Sequence, residues 1–509
     1  MLSDHLPALL IVTPLMAAPI CVMIRHALSA WCIAMVANVA ALLCSIFLFL
    51  QVSNGEVIHY ALGGWAAPTG IEYYVDITNS LMLMLITTIS LIALSYSYLS
   101  IQQEIAPPRH YLFYTGWLLC LTGLLGIVIT GDAFNVFVFL EISSLSMYML
   151  IALGRERKQA LMAAFRYLIM GSIGASFILL GIGFLYAATG TLNMVDLAER
   201  IPEVGQSRTV LVGFSFITFG LLIKAAVFPA YAWLPNVYQY SPSSVTIFLA
   251  ATATKVSLYV LLRFFFHIFG DGYSFGDMLL SYVLVPLSLI GFFVMSIVAI
   301  FQTDLRRLLA YSSIAQIGYI VAAISMDTQL GLSAAIIHII NHAFIKATLF
   351  MAVGCIMYRM GTAHIADMAH LVRTMPWTAA AFIIGGLSLI GVPLTAGFVS
   401  KWYLVTAAID SGWWIIAVMI LMSSLMAIVY IGKVIEIMCF AKTMSADKVN
   451  AQDSQSSQTQ APQTVKEAPL GLLLPLWVLV LITVYLGING TAVVDIANAA
   501  ASQLLGKLL

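Results

Sequence analysis

The feature that most constrains this chain is a succession of apolar stretches, each long enough to cross a lipid bilayer. A membrane-spanning helix needs about twenty predominantly apolar residues. Hydrophobic residues make up 62 % of the chain and charged residues only 9 %, whereas about a quarter of the residues in soluble domains are charged. The sequence therefore predicts an all-α integral membrane protein of about fourteen transmembrane helices joined by short connections. The spans are expected near residues 6–26, 30–51, 76–99, 110–130, 133–153, 165–188, 209–228, 243–268, 278–301, 308–326, 330–358, 376–398, 412–440 and 469–490.

Two segments do not have the composition of membrane spans. Residues 192–208 carry several acidic and basic side chains and are predicted to form a surface helix and loop. Residues 441–468 are rich in Gln and Ser and poor in large apolar groups, which is typical of a disordered linker. The first apolar stretch, Leu6–Ile24, has no basic segment before it and is followed at once by Arg25. We therefore expect it to be a spanning helix rather than a cleaved signal peptide.

Basic residues lie mainly on one side of the predicted helices. If the spans alternate in direction, the opposite side holds only Arg200, Arg208 and Lys507, with Arg263 near that end of its helix. Basic residues are enriched in cytoplasmic loops, so both termini are expected outside and the 441–468 linker in the cytoplasm of a cell (inner) membrane. The basic residues on the predicted cytoplasmic side are Arg25, Arg109, Arg155, Arg157, Lys158, Arg166, Arg306, Arg307, Arg359, Arg373, Lys442, Lys448 and Lys466.

The overall charge and the cysteines exclude several classes of partner and cofactor. Lys plus Arg and Asp plus Glu both number 22, so net charge gives no reason to expect a nucleic acid partner. The six cysteines lie in apolar stretches, and no pair has the close spacing of a metal or disulfide motif. We therefore expect no cofactor, no bound metal and no redox centre carried by this chain alone.

Once the basic residues counted above are set aside, five lysines and two glutamates stand out within apolar runs. A charge at the centre of a membrane helix costs roughly 2.5–3.5 kcal/mol on insertion scales, and such residues usually pair, face a bundle interior or line an ion path. Five unpaired lysines would together cost about 12 kcal/mol, so each must have compensating contacts. Burial disfavours the charged form of both Lys and Glu, which suits groups that pass protons at neutral pH. The seven are Lys224, Lys255, Lys346, Lys401, Lys433, Glu141 and Glu436.

These charges have structural interpretations as well. Lys433 and Glu436 are three residues apart near a helix end, so both can reach the interface or pair locally. Glu141 can act as a counter-ion for a lysine and, with Lys224, modulate charge as well as hold helices together. Lys255 has about a dozen apolar residues on either side, so its amine cannot reach an interface. It is the best single candidate for a buried proton carrier.

Three further candidates for proton transfer lie on one face of a predicted helix. His338 and His342 are spaced i, i+4, and Lys346 continues the same stripe. Histidines at this spacing can bind zinc, but no Glu stands between them here. Imidazole titrates near physiological pH, which favours a proton relay. Satisfied core histidines and a metal site remain the alternatives.

Two spans contain helix breakers beside a lysine. Pro229 and Pro235 follow Lys224, and Gly391, Pro393 and Gly397 precede Lys401. Proline interrupts the helical hydrogen bonds, and irregular backbone at membrane depth survives only against protein or water. The broken seventh and twelfth helices are five spans apart and therefore run in opposite directions, which indicates two inverted five-helix repeats. The expected division is helices 1–3 (1–109), a first repeat of helices 4–8 (110–268), a second inverted repeat of helices 9–13 (278–440), the linker (441–468), and helix 14 with its tail (469–509).

These segments resemble the antiporter-like membrane subunits shared by respiratory complex I, membrane-bound hydrogenases and the multisubunit Mrp-type Na⁺/H⁺ antiporters. They look most like the D subunit of the Mrp-type antiporters, and the similarity covers nearly the whole chain. The matching stretches are TGDAFNVFVFLEI (130–142), GTLNMVDLA (190–198), LIKAAVFPAYAWLP (222–235), IINHAFIKATLF (339–350) and GFVSKWY (397–403).

The resemblance implies roles for individual residues. Glu141 matches the essential glutamate of the fifth helix, Lys224 the lysine of the broken seventh helix and Lys255 the central lysine of the eighth. His338, His342 and Lys346 match the relay of the eleventh helix, and Lys401 the charged residue of the broken twelfth. Many family members have a histidine near the W-L-P break, where this chain has Tyr231 and Tyr238. Only a short stretch follows the fourteenth predicted helix, so the long lateral helix of the largest members is not expected here.

Three classes of function are consistent with the sequence. The first is a proton-translocating subunit of a cation/proton antiporter, in which protons pass along Lys224, Lys255, His338/His342 and Lys346 and leave past Lys401. The second is a proton-pumping membrane subunit of a hydrogenase or NADH-oxidising complex, and the third is a structural subunit. Each implies the lipid bilayer and other membrane subunits as partners. Protons are the expected ions, and the sequence leaves the identity of an exchanged cation, Na⁺ or K⁺, open.

Overall fold

The structure is a computed structural model that describes residues 3–154, 157–205, 207–440 and 466–506. Within these residues the chain forms α-helices and one two-stranded sheet. The helices are α1 (Leu6–Ile24), α2 (Ala27–Val52), α3 (Ile77–Glu104), α4 (His110–Ile129), α5 (Ala133–Ala152), α6 (Arg157–Thr189), α7 (Met194–Val204), α8 (Arg208–Lys224), α9 (Leu234–Tyr240), α10 (Ser243–Ala251), α11 (Ala253–Leu262), α12 (Leu280–Ile300), α13 (Leu305–Ile324), α14 (Gln329–Met360), α15 (Leu371–Thr374), α16 (Pro376–Ile390), α17 (Ala396–Asp410), α18 (Trp414–Phe440), α19 (Leu470–Ile488) and α20 (Thr491–Leu504).

The predicted number of membrane crossings is confirmed. Twelve described helical segments are long and apolar enough to span a bilayer, and one of them, Ser243–Ile268, is made of α10, α11 and a π-helical turn. Two more crossings are made in pieces, by α8 with α9 and by α16 with α17. The sum is fourteen crossings, and the predicted spans begin and end within a few residues of most of these helices. Because the spans alternate in direction, α1 begins on the same face of the bundle at which α19 ends. We call this face the terminal face and the other the opposite face.

The two predicted helix breaks are confirmed. α8 ends at Lys224, and the chain resumes a helix only at Leu234; Ala226, within the break, has a φ of 56°. The second break separates Ile390 from Ala396. The eighth crossing is also interrupted, at Thr252 between α10 and α11 (φ −119°, ψ −60°), and this break was not predicted from the sequence.

The terminal face carries three short elements that lie outside the spans. Strands β1 (Ile58–Ala61) and β2 (Glu72–Val75) pair antiparallel. The sheet packs on the α4–α5 turn, where the N–H of Gly131 donates to the carbonyl of Glu72 at 3.0 Å. α7 confirms the surface helix predicted in 192–208. α20 crosses above α3 and α14, and the Gln329 side chain donates to the Ser502 hydroxyl at 2.6 Å. The sheet and α20 were not predicted.

The burial of four charges assigned to span ends or loops is now defined. Lys433 and Glu436 are exposed, which confirms their structural interpretation. Arg306, which was assigned to a loop, is 5 % exposed, because its guanidinium donates to the carbonyls of Gln239 and Ser241 at 2.7 and 3.1 Å. Arg263 is also buried.

The linker predicted at 441–468 lies outside the described residues except for 466–468. Glu467, at its end, is in contact with the bundle, which corrects the predicted extent of disorder. Its carboxylate accepts hydrogen bonds from the Trp377 N–H at 2.8 Å and the Thr378 hydroxyl at 2.6 Å. These bonds satisfy free donors at the start of α16, so the linker ends before Glu467.

Candidate functional site

Lys224 and Glu141 form a pair at the end of α8. The Lys224 Nζ lies 4.0 Å from the Glu141 Oε1 and donates to the Ser144 hydroxyl at 2.9 Å. The Lys224 side chain is 5 % exposed and the Glu141 side chain 27 %. Since α8 stops at Lys224, the amine also lies at the negative end of the helix dipole. The indole N–H of Trp233 donates to the Ile223 carbonyl at 3.1 Å, so the break leaves that carbonyl satisfied.

Lys255 is completely buried at the break in the eighth crossing. Its amine donates to the carbonyl of Ala250 at 2.5 Å and contacts the Thr254 hydroxyl at 3.4 Å. Ala250 lies in the last turn of α10, whose carbonyls are left without helical partners by the interruption at Thr252. The break therefore provides the acceptor that makes a cation tolerable at this depth.

His338, His342 and Lys346 lie on one stripe of α14, as predicted. The two imidazole rings are 5.8 Å apart and almost parallel. The His338 Nδ1 is 2.9 Å from the Ser400 hydroxyl. Its Nε2 and both nitrogens of His342 are buried without a hydrogen-bond partner among the described residues. Buried polar groups of this kind are normally satisfied by water, so the stripe is suited to a hydrated interior.

Lys346 occupies the end of the stripe nearer the opposite face. Its amine donates to the carbonyl of Leu309 at 2.9 Å and to the Ser312 hydroxyl at 2.5 Å. It is completely buried. Both partners lie on α13, so the sequence alone gave no indication of them.

Lys401 lies at the second broken crossing, beside the other end of the stripe. Its amine donates to the carbonyls of Leu389 and Ile390 at 3.0 and 2.7 Å and to the Ser424 hydroxyl at 3.0 Å. These carbonyls end α16, where a cation is favoured. The chain turns there at Gly391 (φ +95°), and a Cβ on this residue would come within 2.9 Å of the Lys401 side chain. Glycine is therefore required both for the turn and for the lysine's position.

The buried amines of Lys224, Lys255, Lys346 and Lys401 are all stabilised by the same kinds of hydrogen-bond acceptor. Each amine is held by hydroxyls, by the carbonyls at a helix break, or by both, and among the described residues only Lys224 has a carboxylate within 4.0 Å. Carbonyls and hydroxyls stabilise an ammonium without fixing it as strongly as a carboxylate would. The compensation that burial of these charges requires is thus present, and it leaves the amines able to exchange protons.

The central residues are close enough to interact electrostatically. Lys255 interacts with His338, His342 and Lys346, and Lys401 interacts with His338. The Lys401 amine also lies 5.7 Å from the centre of the Tyr319 ring, which is 5.9 Å from the His338 ring. His338, rather than Lys346, therefore faces Lys401, and this order differs from the linear order expected from the sequence.

A small cavity lies between Lys224 and α11. Its volume is about 30 Å³, and it is lined by Ser144 and Lys224 on one side and by Val256 and Ser257 of α11 on the other. That volume accommodates a water molecule. No direct contact between Lys224 and Lys255 is present among the described residues, and the cavity borders the neighbours of Lys255 on α11, Val256 and Ser257.

A larger cavity opens at the opposite face, with a volume of about 280 Å³. Glu104, at the end of α3, accepts hydrogen bonds there from the N–H of Ser243 at 2.7 Å and from its hydroxyl at 2.5 Å. Arg306 donates to the same hydroxyl at 2.8 Å. Sequence reasoning missed Glu104 because it lies at a span end, where charges are common. The hydroxyl partners were missed because Ser and Thr are frequent throughout membrane helices.

The fold and these buried groups define a class of protein: a multi-pass membrane protein with interrupted helices and several titratable side chains buried in its interior. A family comparison gives the particular family. Residues 130–427 match the family described as NADH:quinone oxidoreductase/Mrp antiporter, TM, and the chain belongs to this family.

Relatives within the family come from two kinds of complex. The chain is 38 % identical to NADH-quinone oxidoreductase subunit N of Desulforudis audaxviator, over 97 % of this chain and 98 % of that protein. It is 31 % identical to the D subunit of the Na⁺/H⁺ antiporter of Alkalihalophilus pseudofirmus, over 92 % and 90 %. Both kinds are subunits of multisubunit membrane complexes, so other membrane subunits are partners of this chain too.

Solved structures of two membrane complexes contain chains with the same fold. A chain of the Mrp complex from Dietzia sp. DQ12-45-1b superposes with a TM-score of 0.87 at 25 % identity, covering 99 % of this chain and 98 % of that one. A chain of the membrane-bound sulfane sulfur reductase, an archaeal respiratory membrane complex, superposes with a TM-score of 0.87 at 30 % identity, covering 98 % of both. The fold is that of antiporter-like subunits in both settings.

Proposed function

We propose that this chain is the proton-translocating subunit of a multisubunit monovalent cation/proton antiporter. The observation that carries the proposal is the buried group of Lys255, His338, His342, Lys346 and Lys401. Within it the two imidazole rings lie 5.8 Å apart, and the Lys401 amine and the His338 ring lie 5.7 and 5.9 Å from the same Tyr319 ring. A purely structural subunit gains nothing from several buried cations near one another, since like charges repel. The similarity to the D subunit of an Na⁺/H⁺ antiporter supports the proposal.

In this mechanism protons enter from the opposite face and leave past Lys401 to the terminal face. Glu141 holds a proton on Lys224 while the two are close. When they separate, Lys224 releases its proton through the small cavity toward Lys255, and repulsion moves charge on to the α14 stripe. The two inverted repeats, 110–268 and 278–440, each supply one of the two predicted broken helices, the seventh and the twelfth. The terminal face is outside and the opposite face is cytoplasmic, in keeping with the distribution of Lys and Arg.

The Glu141–Lys224 pair gives a direct test. Glu141→Gln is expected to slow cation-driven proton exchange in inverted vesicles roughly ten-fold, because it removes the charge that stabilises protonated Lys224 at 4.0 Å. Asp196→Asn, which breaks a surface pair with Arg200, is the control and is expected to leave exchange unchanged. Normal exchange in a normally assembled Glu141→Gln complex would contradict the proposed role.

A second candidate function is a proton-pumping subunit of a redox complex. The 38 % identity to NADH-quinone oxidoreductase subunit N and the likeness to the sulfane sulfur reductase complex favour it. Proton transfer along the same residues would then be driven by electron transfer in other subunits.

Purification of the intact complex separates the two candidates. For an antiporter we expect no flavin or iron–sulfur absorbance, and we expect NaCl or KCl added to proteoliposomes with an imposed pH gradient to dissipate that gradient. A complex with flavin or iron–sulfur bands, whose proton transport depends on an electron donor and not on Na⁺ or K⁺, would establish the redox alternative. Either result leaves the role of the buried residues to be decided by the Glu141→Gln vesicle experiment.

A further inference from the structure

A buried ion pair lies outside the proposed proton path. The Arg263 guanidinium donates from Nη1 to the Oδ2 of Asp76, and the two residues are 3 % and 1 % exposed. The same guanidinium lies 4.8 Å from the centre of the Tyr74 ring. Buried ion pairs are weak contributors to stability, because desolvation offsets the attraction between the charges. A contribution to stability therefore does not account for the Arg263–Asp76 pair, which indicates a functional role.

The position of the Arg263–Asp76 pair relative to Lys255 indicates what this role is. Lys255, Tyr259 and Arg263 follow each other at intervals of four residues along the eighth crossing and so lie on one face of it. Eight residues at 1.5 Å per residue place Arg263 about 12 Å nearer the terminal face. Tyr259, between them, is buried, and its hydroxyl donates to the Val128 carbonyl at 3.0 Å. A direct route from Lys255 to the terminal face therefore passes the guanidinium.

The chemistry of this pair opposes proton passage. Guanidinium has only N–H donors and no acceptor, and it remains charged at all physiological pH values. It can neither take up a proton nor tolerate a hydronium ion nearby. The Asp76 carboxylate is also occupied, since its Oδ1 accepts the N–H of Asn79 at 2.8 Å in the capping box of α3. Both oxygens of the Asp76 carboxylate are thus held in interactions.

The two ends of the eighth crossing differ in how they are covered. Toward the terminal face, Tyr74 of β2 covers the guanidinium, and α20 contacts the π-helical turn Arg263–Ile268. Toward the opposite face, α10 begins at Ser243, whose hydroxyl donates to Glu104 in the wall of the 280 Å³ cavity. The crossing is open at the end where protons would enter and closed at the end where they could escape.

We propose that the Arg263–Asp76 pair is a seal that stops protons on Lys255 from leaving directly to the terminal face. Protons then pass sideways to His342 and Lys346, and transport stays coupled. The inference deepens the proposed function and rests on Lys255 carrying protons.

Passive proton leak through the assembled complex tests the seal. The purified complex is reconstituted in liposomes with a trapped pH dye, and a valinomycin-induced potassium potential drives protons in. Arg263→Gln is expected to raise the leak roughly ten-fold, the factor that corresponds to a unit charge at about 12 Å with an effective dielectric constant of about 20. Asp76→Asn keeps the guanidinium at the site, so its leak should stay at the wild-type level. Equal leaks in Arg263→Gln and Asp76→Asn would mean that the pair is only structural, and would overturn the proposal.

A second variant distinguishes a lost seal from a packing defect. Arg263→Gln combined with Lys255→Leu should show no added leak, because the proton carrier behind the seal is gone. A leak that persists in this double variant overturns the proposal. If Arg263→Gln alone does not assemble, Asp76→Asn/Arg263→Gln removes both charges and takes its place in both comparisons. Failure of the proposed function is recognised separately, since Lys255→Leu alone would then transport protons normally.

Discussion

Lys255→Leu is expected to reduce proton transport by the assembled complex at least about 100-fold, the range associated with removing a positioned proton-transfer group. The side chain is completely buried, and its amine interacts with both histidines and with Lys346 of the α14 stripe. Leucine retains much of the volume and removes the only titratable atom. The complex should therefore assemble normally, and fluorescence-based proton uptake in proteoliposomes should show the loss.

Lys433→Leu is the matched control. Lys433 also lies in an apolar run of a spanning helix, but its side chain is exposed, and its amine lies 3.4 Å from the Ile300 carbonyl. Its removal should leave transport near the wild-type rate. Comparable losses in both variants would mean that any lysine in the membrane matters in the same way, and the central role of Lys255 would be wrong.

The sequence predicted most of the crossings, because each spanning helix must satisfy its own backbone and so appears as one apolar run. It also predicted both broken helices, since proline and glycine act locally. Lys255 and Lys433 differ in depth within otherwise similar runs, and their predicted difference in burial is confirmed. These features are encoded within one helix and do not depend on its neighbours.

Features that depend on two distant segments could not be predicted. Asp76 and Arg263 are 187 residues apart, and neither stands in the middle of a span. The break at Thr252 contains neither proline nor glycine, so no local signal marked it. The Ser312 partner of Lys346 and the Ser400 partner of His338 are ordinary residues whose importance arises only from packing.

Gly397→Ala is expected to destabilise the second broken crossing strongly, although it adds only one methyl group. A Cβ at Gly397 would lie 1.7 Å from the carbonyl oxygen of Ser388, which is far inside contact distance and involves backbone that cannot rotate away. α17 must then move from the end of α16. Overpacking of this kind costs about 1–3 kcal/mol and occasionally more, and the severity of this overlap places it at the upper end. The apparent melting temperature in detergent, at a fixed heating rate, should fall clearly.

Gly432→Ala separates this effect from a general intolerance of added methyl groups. Gly432 is also in a spanning helix, but a Cβ there meets no atom within 4 Å, and alanine in a helix interior is favoured over glycine by about 0.5–1 kcal/mol. Its melting temperature should be unchanged or higher. Because Lys401 is one turn beyond Gly397 and donates to the carbonyls that end α16, Gly397→Ala should also slow proton transport in whatever fraction assembles. A stable Gly397→Ala complex with normal transport would show that the close approach of α16 and α17 does not position Lys401.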